Sequence, residues 1–404
     1  MKRQRLIELA SDLLERFCLD IPTRPVGRDG NRKATDLFAA RMRNCGFDVS
    51  CPEFRCIDWA TEGAWLQTTA GRTVAHASPY SPGCDTRGRL RVASTVADLE
   101  AADLAGSVVL LRGELTRGQL MPKNFPWYNP EEHQHIIALL EEKRPLAIVA
   151  ATSRDPEMVG AQYPFPFIED GDFDIPSVYL TDVEGDALAG LIGQEIAVVS
   201  RSRRIPSSGC NVVARKGSQA SGWIVCTAHI DTRDGTPGAL DNASGTISLL
   251  LLGELLRDLE GLPPVEIVAL NGEDYYASSG EKLYFESNRE CMDRIGLNIN
   301  IDDVGYRDGA TAYSLYECPA ELAFSVRSSL GRQCGIIEGP AWPQGDHMIF
   351  VQSGRPALAF TSEKVTEVMA EYTHTPRDRP ELVDPAKLAD LALALRSLLP
   401  ELPG

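Results

Sequence analysis

The sequence predicts an α/β fold interrupted by a smaller β-rich module, and three observations lead there. Past Cys210, long apolar helices alternate with short buried strand runs, the texture of a sheet covered by helices. Between about Asp58 and Arg204 the texture changes to short strand-like runs, Ser107–Arg112, Leu146–Ala151 and Ser177–Thr181, separated by Pro- and Gly-rich loops. The length of 404 residues exceeds one ordinary core and so favours two domains. The simplest arrangement is an insertion: residues 1–56 and 206–404 form one α/β domain and 57–205 a module set into it. A separate N-terminal domain is the alternative.

The elements follow in order. Leu6, Leu9, Leu13 and Phe17 recur at helical spacing and predict a surface helix. A second helix is expected from about Asn31 to Cys45, with Ala34, Leu37, Phe38 and Met42 inward and Gly46 as its stop. Phe47 to Cys51 alternates like a strand. In the middle module Glu131 to Lys143 fits a helix. The later half offers strand runs at Trp223–Ala228, Val265–Leu270 and Leu297–Ile301, the apolar helix Thr246 to Leu256, and a last helix capped by Asp384-Pro385.

Composition narrows the function. With 57 acidic and 40 basic residues the net charge is −17, which argues against nucleic-acid backbones or anionic membranes as main partners. No apolar run approaches the roughly 20 residues of a membrane span. The basic start, MKRQR, is interrupted by acids before an apolar signal region can form, so a cytoplasmic protein is expected. Ten scattered cysteines without a CxxC pair read as buried free thiols in a reducing compartment.

Three strand runs end in chemistry. Trp223–Ala228 leads to His229-Ile-Asp231, Val265–Leu270 to Asn271-Gly-Glu273-Asp274, and Leu297–Ile301 to Asp302-Asp303. In open α/β sheets ligands bind beyond the carboxyl ends of the strands, so three strands deliver imidazole and carboxylates to one rim. Asp231, two residues past His229, can accept an imidazole N–H if the segment stays extended; a surface polar pair is the more common reading of an isolated HxD. Gly238-Ala-Leu-Asp241-Asn-Ala-Ser-Gly245 precedes an apolar helix; Asp241 is either a cap or a bridge between two cations. Adjacent Glu273 and Asp274 diverge, which suits a general base beside a metal ligand; an ordinary acidic turn is the alternative. His133-x-His135 sits in an acidic helix start, where a solvated face is expected.

In chain order, Arg24-Pro-Val-Gly27 with Gly30, AHIDT (228–232), PGALDNASG (237–245), GED (272–274), NIDDVG (300–305), GDHMIF (345–350) and THTPRD (373–378) resemble the blocks of the co-catalytic metallo-aminopeptidases that include bacterial leucyl aminopeptidases, aminopeptidase Y and glutamate carboxypeptidase. The resemblance implies a mixed sheet flanked by helices, the three-layer fold of zinc exopeptidases. It implies two divalent metal ions, zinc first and cobalt or manganese as substitutes. His229 and Asp302 would hold one ion, Asp274 and His374 the other, and Asp241 would bridge them through a site whose next peptide is often cis. Asp302 is preferred over Asp303 as the acid two residues before Val304-Gly305. Glu273 would be the general base and acid, and Asp231 would orient His229. Asp274 stands where the family usually has Glu, which bears on metal preference. The middle module resembles a protease-associated domain, through Leu104–Arg112, Ile136–Ala151 and Asp174–Thr181. Its aromatic loops, Asn124–Tyr128 and Tyr163–Phe167, would either wall a substrate pocket or pack on their own module.

The implied activity is metal-dependent removal of N-terminal residues from peptides or small aminoacyl substrates. A carboxypeptidase or dipeptidase, a glutaminyl cyclase-like transferase, and a binding protein on a peptidase scaffold are the rival readings.

Overall fold

The computed structural model describes residues 2–154, 162–218, 222–258, 261, 263–342 and 344–402. It divides the chain into two units, residues 1–56 with 208–404 and residues 57–207.

The larger unit is built on an eight-stranded sheet in the order Asp48–Ser50, Val212–Lys216, Val265–Leu270, Trp223–His229, Ile295–Ile301, Ala357–Ser362, Thr311–Tyr316 and Ile336–Glu338. The four central strands, Val265–Leu270, Trp223–His229, Ile295–Ile301 and Ala357–Ser362, are mutually parallel. Antiparallel neighbours flank them on both sides, so the sheet is mixed. Val265–Leu270, Trp223–His229 and Ala357–Ser362 are buried at every position, which is why they read as mostly apolar runs rather than as an alternation. Register then fixes the rim. His229 pairs with Leu270, and Thr227 with Asn300. The residues just beyond Leu270 and Ile301 therefore emerge beside His229.

Helices cover the sheet. Gly245–Leu256 is buried on nearly all its faces, with Glu254 its one residue outside the buried class. Pro385–Leu398 packs on it and starts where expected: Asp384 Oδ1 accepts the Ala386 N–H at 2.9 Å, a cap worth about 1 kcal/mol. The first helix, Arg3–Glu15, packs in turn on Pro385–Leu398 and buries Leu6, Ala10 and Leu13 fully, more deeply than a surface helix would. Phe17 belongs to the wider turn, Arg16–Asp20, that ends it. The second helix runs Asp29–Asn44.

The smaller unit is a closed seven-stranded barrel in the order Glu53–Thr68, Gly71–Ala77, Ser177–Thr181, Ala147–Thr152, Ser107–Leu111, Cys84–Ala93 and Glu195–Cys210. Successive side chains of a strand point to opposite faces. Val108 and Leu110 pack with Leu66, Val149 and Val198. Val109 and Leu111 pack with Ile136, Ile137 and Leu140 of the helix Glu131–Lys143. Both faces are thus apolar, and the five-residue strand is buried throughout. Phe167 joins the second cluster and Phe165 is buried as well, so these phenylalanines of the 163–167 loop are packed residues; Tyr128 and Tyr163 are exposed. Cys18, Cys45, Cys56 and Cys226 are buried, and Cys334 is exposed.

Candidate metal centre

The rim of the central strands gathers five side chains. His229 Nε2 lies 3.0 Å from Asp241 Oδ1 and 3.5 Å from Asp302 Oδ1. His374 Nε2 lies 3.1 Å from Asp241 Oδ2 and 2.9 Å from Asp274 Oδ1. Asp241 thus faces one imidazole with each oxygen. His229, Asp241, Asp274 and Asp302 are buried. Ligand atoms of His229, Asp241 and Asp274 all fall within 4.8 Å of one another.

The donor set fits divalent cations. His229 Nδ1, Asp241 Oδ2, Asp274 Oδ2 and Asp302 Oδ1 are buried without a hydrogen-bond partner. Buried polar atoms are ordinarily paired, and three clustered carboxylates repel one another unless positive charge sits among them. Nitrogen and oxygen donors alone suit zinc, cobalt or manganese better than a thiophilic ion. The electrostatics agree. Burial opposes charging His229, yet Asp302, Asp231 and Asp241 hold its pKa well above the usual imidazole value. Burial likewise opposes charge on His374, yet Asp274 and Asp241 raise it to about 10. A cluster that draws protons onto both imidazoles so strongly is one that favours a cation in their place.

Glu273 sits between the ligands in sequence and is only partly buried. Desolvation pushes its carboxyl well above the ordinary range, and the neighbouring acids Asp274, Asp302 and Glu281 push the same way.

Asp231 lies on the side of His229 that its spacing suggests, and the ladder runs one residue past His229, with the Ile230 N–H donating to Leu270 O at 2.8 Å. Asp231 Oδ1 lies 3.7 Å from His229 Nδ1, outside hydrogen-bond distance. Its oxygens instead accept the N–H groups of Gly272 at 2.7 Å and Asp274 at 3.1 Å. Asp231 therefore pins the turn that carries Glu273 and Asp274.

The loop bearing Asp241 is held from two sides. Asp378 accepts the Leu240 and Asp241 N–H groups at 2.8 and 3.0 Å. Asn242 donates to Ile301 O and accepts from the Gly245 N–H, each at 2.9 Å, and the Asp241–Asn242 peptide is cis. A fully buried Arg24 donates to the carbonyls of Phe17, Ile230, Pro237 and Gly238 at 2.7–3.0 Å. It thereby ties the segment after His229 to the segment before Asp241. Neither Arg24 nor Asp378 acquires a role from local spacing. Their membership of the Arg24–Gly27 and Thr373–Asp378 blocks was the available signal.

Three further points resolve plainly. Asp302, not Asp303, turns its carboxylate to His229; Asp303 is buried with its backbone in the left-handed region. His347 stands outside the ligand set, with Nε2 3.2 Å from Trp342 O, and burial lowers its pKa to about 4. In the smaller unit His133 accepts the Met121 N–H, while His135 lies 2.9 Å from Glu100, so the two histidines have separate partners.

Residues 211–399 match the family model described as Peptidase family M28. Among curated relatives, the Probable lipoprotein aminopeptidase LpqL of Mycobacterium tuberculosis is 26% identical over 69% of this chain and 54% of its own length. Aminopeptidase YwaD of Bacillus subtilis is 22% identical over 53% of this chain and 48% of its own. The chain spans about half the length of these curated relatives. Among solved structures, an aminopeptidase from Aneurinibacillus sp. strain AM-1 aligns with a TM-score of 0.75 at 20% identity, covering 97% of this chain and 92% of its own. A zinc aminopeptidase from Bacillus subtilis aligns at 0.73 and 21%, covering 96% and 93%. These likenesses show the fold.

Proposed function

We propose that the chain is a metal-dependent exopeptidase that releases N-terminal residues from peptides. One observation carries this reading: His229, Asp241, Asp274, Asp302 and His374, from distant segments, converge on one rim, with Asp241 facing both imidazoles and a carboxylate oxygen of each aspartate left without a hydrogen-bond partner. His229 with Asp302 would hold one divalent ion, Asp274 with His374 a second, and Asp241 would bridge them. Zinc is the first choice, supported by the donor set and by a neighbouring structure titled a zinc aminopeptidase. When bound, such ions acidify water and polarise a carbonyl.

The protein's own residues divide the remaining work. Glu273 takes the proton of the attacking water and returns it to the leaving amine; its raised pKa suits a group that must hold a proton in mid-cycle. Asp231 keeps Glu273 and Asp274 in register by binding the backbone on either side of Glu273. Asp378 and Arg24 fix the loop that presents Asp241.

The barrel fits the role of a protease-associated unit, a reading supported by its strand pattern alone. A cytoplasmic location fits ten scattered cysteines without a CxxC pair. The relative named a lipoprotein aminopeptidase marks the competing location, which fractionation decides.

The test is Glu273→Gln. Folding and bound metal should persist while turnover of aminoacyl reporters falls about 10²–10⁴-fold. Near-wild-type hydrolysis by this variant sinks the assignment.

A further inference from the structure

The two halves of the cluster differ in charge. On one side His229 and Asp302 face Asp241 Oδ1. On the other, Asp274 and His374 face Oδ2, and here a fixed positive charge joins them: Arg233 Nε lies 3.3 Å from Asp274 Oδ1. That oxygen is the one 2.9 Å from His374 Nε2, so the guanidinium addresses the atom turned toward the ion-binding point. The Asp274 side chain is 1% exposed and that of Arg233 29%, so the contact lies where water screens charge poorly.

Arg233 is anchored rather than waving. Thr232 Oγ1 accepts the Arg24 N–H at 2.9 Å, Arg28 pairs with Asp234 at 2.6 Å, and the Thr236 N–H returns to Arg233 O at 3.4 Å. The Asp274 backbone is held separately, its N–H donating to Asp231, which also holds Gly272. What the guanidinium adds is charge: it competes for a carboxylate oxygen and repels a dication placed beyond it.

We propose that Arg233 is a built-in cation that weakens ion binding at the Asp274–His374 half. The two ions then bind with unequal affinity, and occupancy of the second half follows the free metal concentration. This rests on the two-ion reading above and adds to it a means by which metal supply sets the active fraction.

The experiment is a titration of the chelator-stripped full chain with Zn²⁺, and in parallel with Co²⁺ followed by its visible absorption. Wild type, Arg233→Gln and Arg233→Lys are compared. Wild type should show two unequal binding steps. Arg233→Gln should tighten the weaker step by about 10–100-fold, the size outer-shell changes have on metal affinity, and leave the tighter step in place as an internal control of folding. Arg233→Lys, which keeps the charge, should stay near wild type. A wild type with two steps whose weaker step is unchanged or loosened in Arg233→Gln overturns this inference alone. A wild type that takes up fewer than two ions overturns the two-ion reading and this inference with it.

Discussion

The strand Ser107–Leu111 in the barrel and the strand Val265–Leu270 in the sheet look alike where they end. One continues Leu111-Arg-Gly-Glu114, the other Leu270-Asn-Gly-Glu273. Both strands are buried throughout, and both glycines, Gly113 and Gly272, adopt positive φ to make the turn. Yet Glu114 is exposed to solvent, while Glu273 lies among acids that drive its pKa up. The difference lies in the neighbours. Ser107–Leu111 is flanked by strands that run on into Ser94-Thr95 and Ser153-Arg154. Val265–Leu270 is paired to the strand ending in His229, and beyond it lies the strand that leads into Asp302. A strand-end glutamate acquires chemistry from what its parallel neighbours bring to the same rim.

The sharpest way to break this contrast is Asp241→Asn. The substitution keeps shape and removes the charge that faces both imidazoles. With neither half of the site neutralised, bound metal should fall from two ions toward none by elemental analysis. Hydrolysis should fall further than with Glu273→Gln, because the ions as well as the base are then missing. Retention of both ions would show that Asp241 is not the shared ligand.

In the barrel a change of similar reach should act on stability and leave the chemistry alone. Phe167→Ala removes a fully buried ring from the cluster formed by Val109, Leu111 and Ile137. It should cost about 3–5 kcal/mol by denaturant melt, through lost burial plus a cavity. Bound metal at low temperature should be unchanged. Loss of metal in a folded Phe167→Ala chain would mean that the two units do not divide the work in this way.

How much of this the sequence carried depends on the range of the contacts involved. Glu131–Lys143 and Val265–Leu270 are legible end to end, because a helical period and an apolar run are local signals. The five candidate ligands were legible as strand ends and as blocks of a family pattern. The closing of seven strands into a barrel was not, since closure depends on which strands pair at long range. Arg24 was legible only as part of a block: nothing local says that an arginine will be buried, and the carbonyls that stabilise it include three more than 200 residues away. Asp231 was legible as the neighbour of His229, but its bonds to the Gly272 and Asp274 N–H groups come from a segment some forty residues on and leave no local signal.

The smallest expected effect comes from the pair that most resembles a metal motif to the eye. His133-x-His135 has the residue type, but the structure gives the two rings unrelated partners: a backbone N–H for His133 and Glu100 for His135. The His135–Glu100 contact is about half exposed on both sides, where an ion pair contributes little because water and salt screen it. His135→Ala should therefore change stability by no more than about 0.5 kcal/mol and leave bound metal unaltered. Loss of an ion on this substitution would move a metal site into the barrel and undo the contrast between a chemical rim and an apolar shell. The geometry argues against it, since both rings already have partners outside any common coordination sphere, whereas His229 and His374 converge on Asp241.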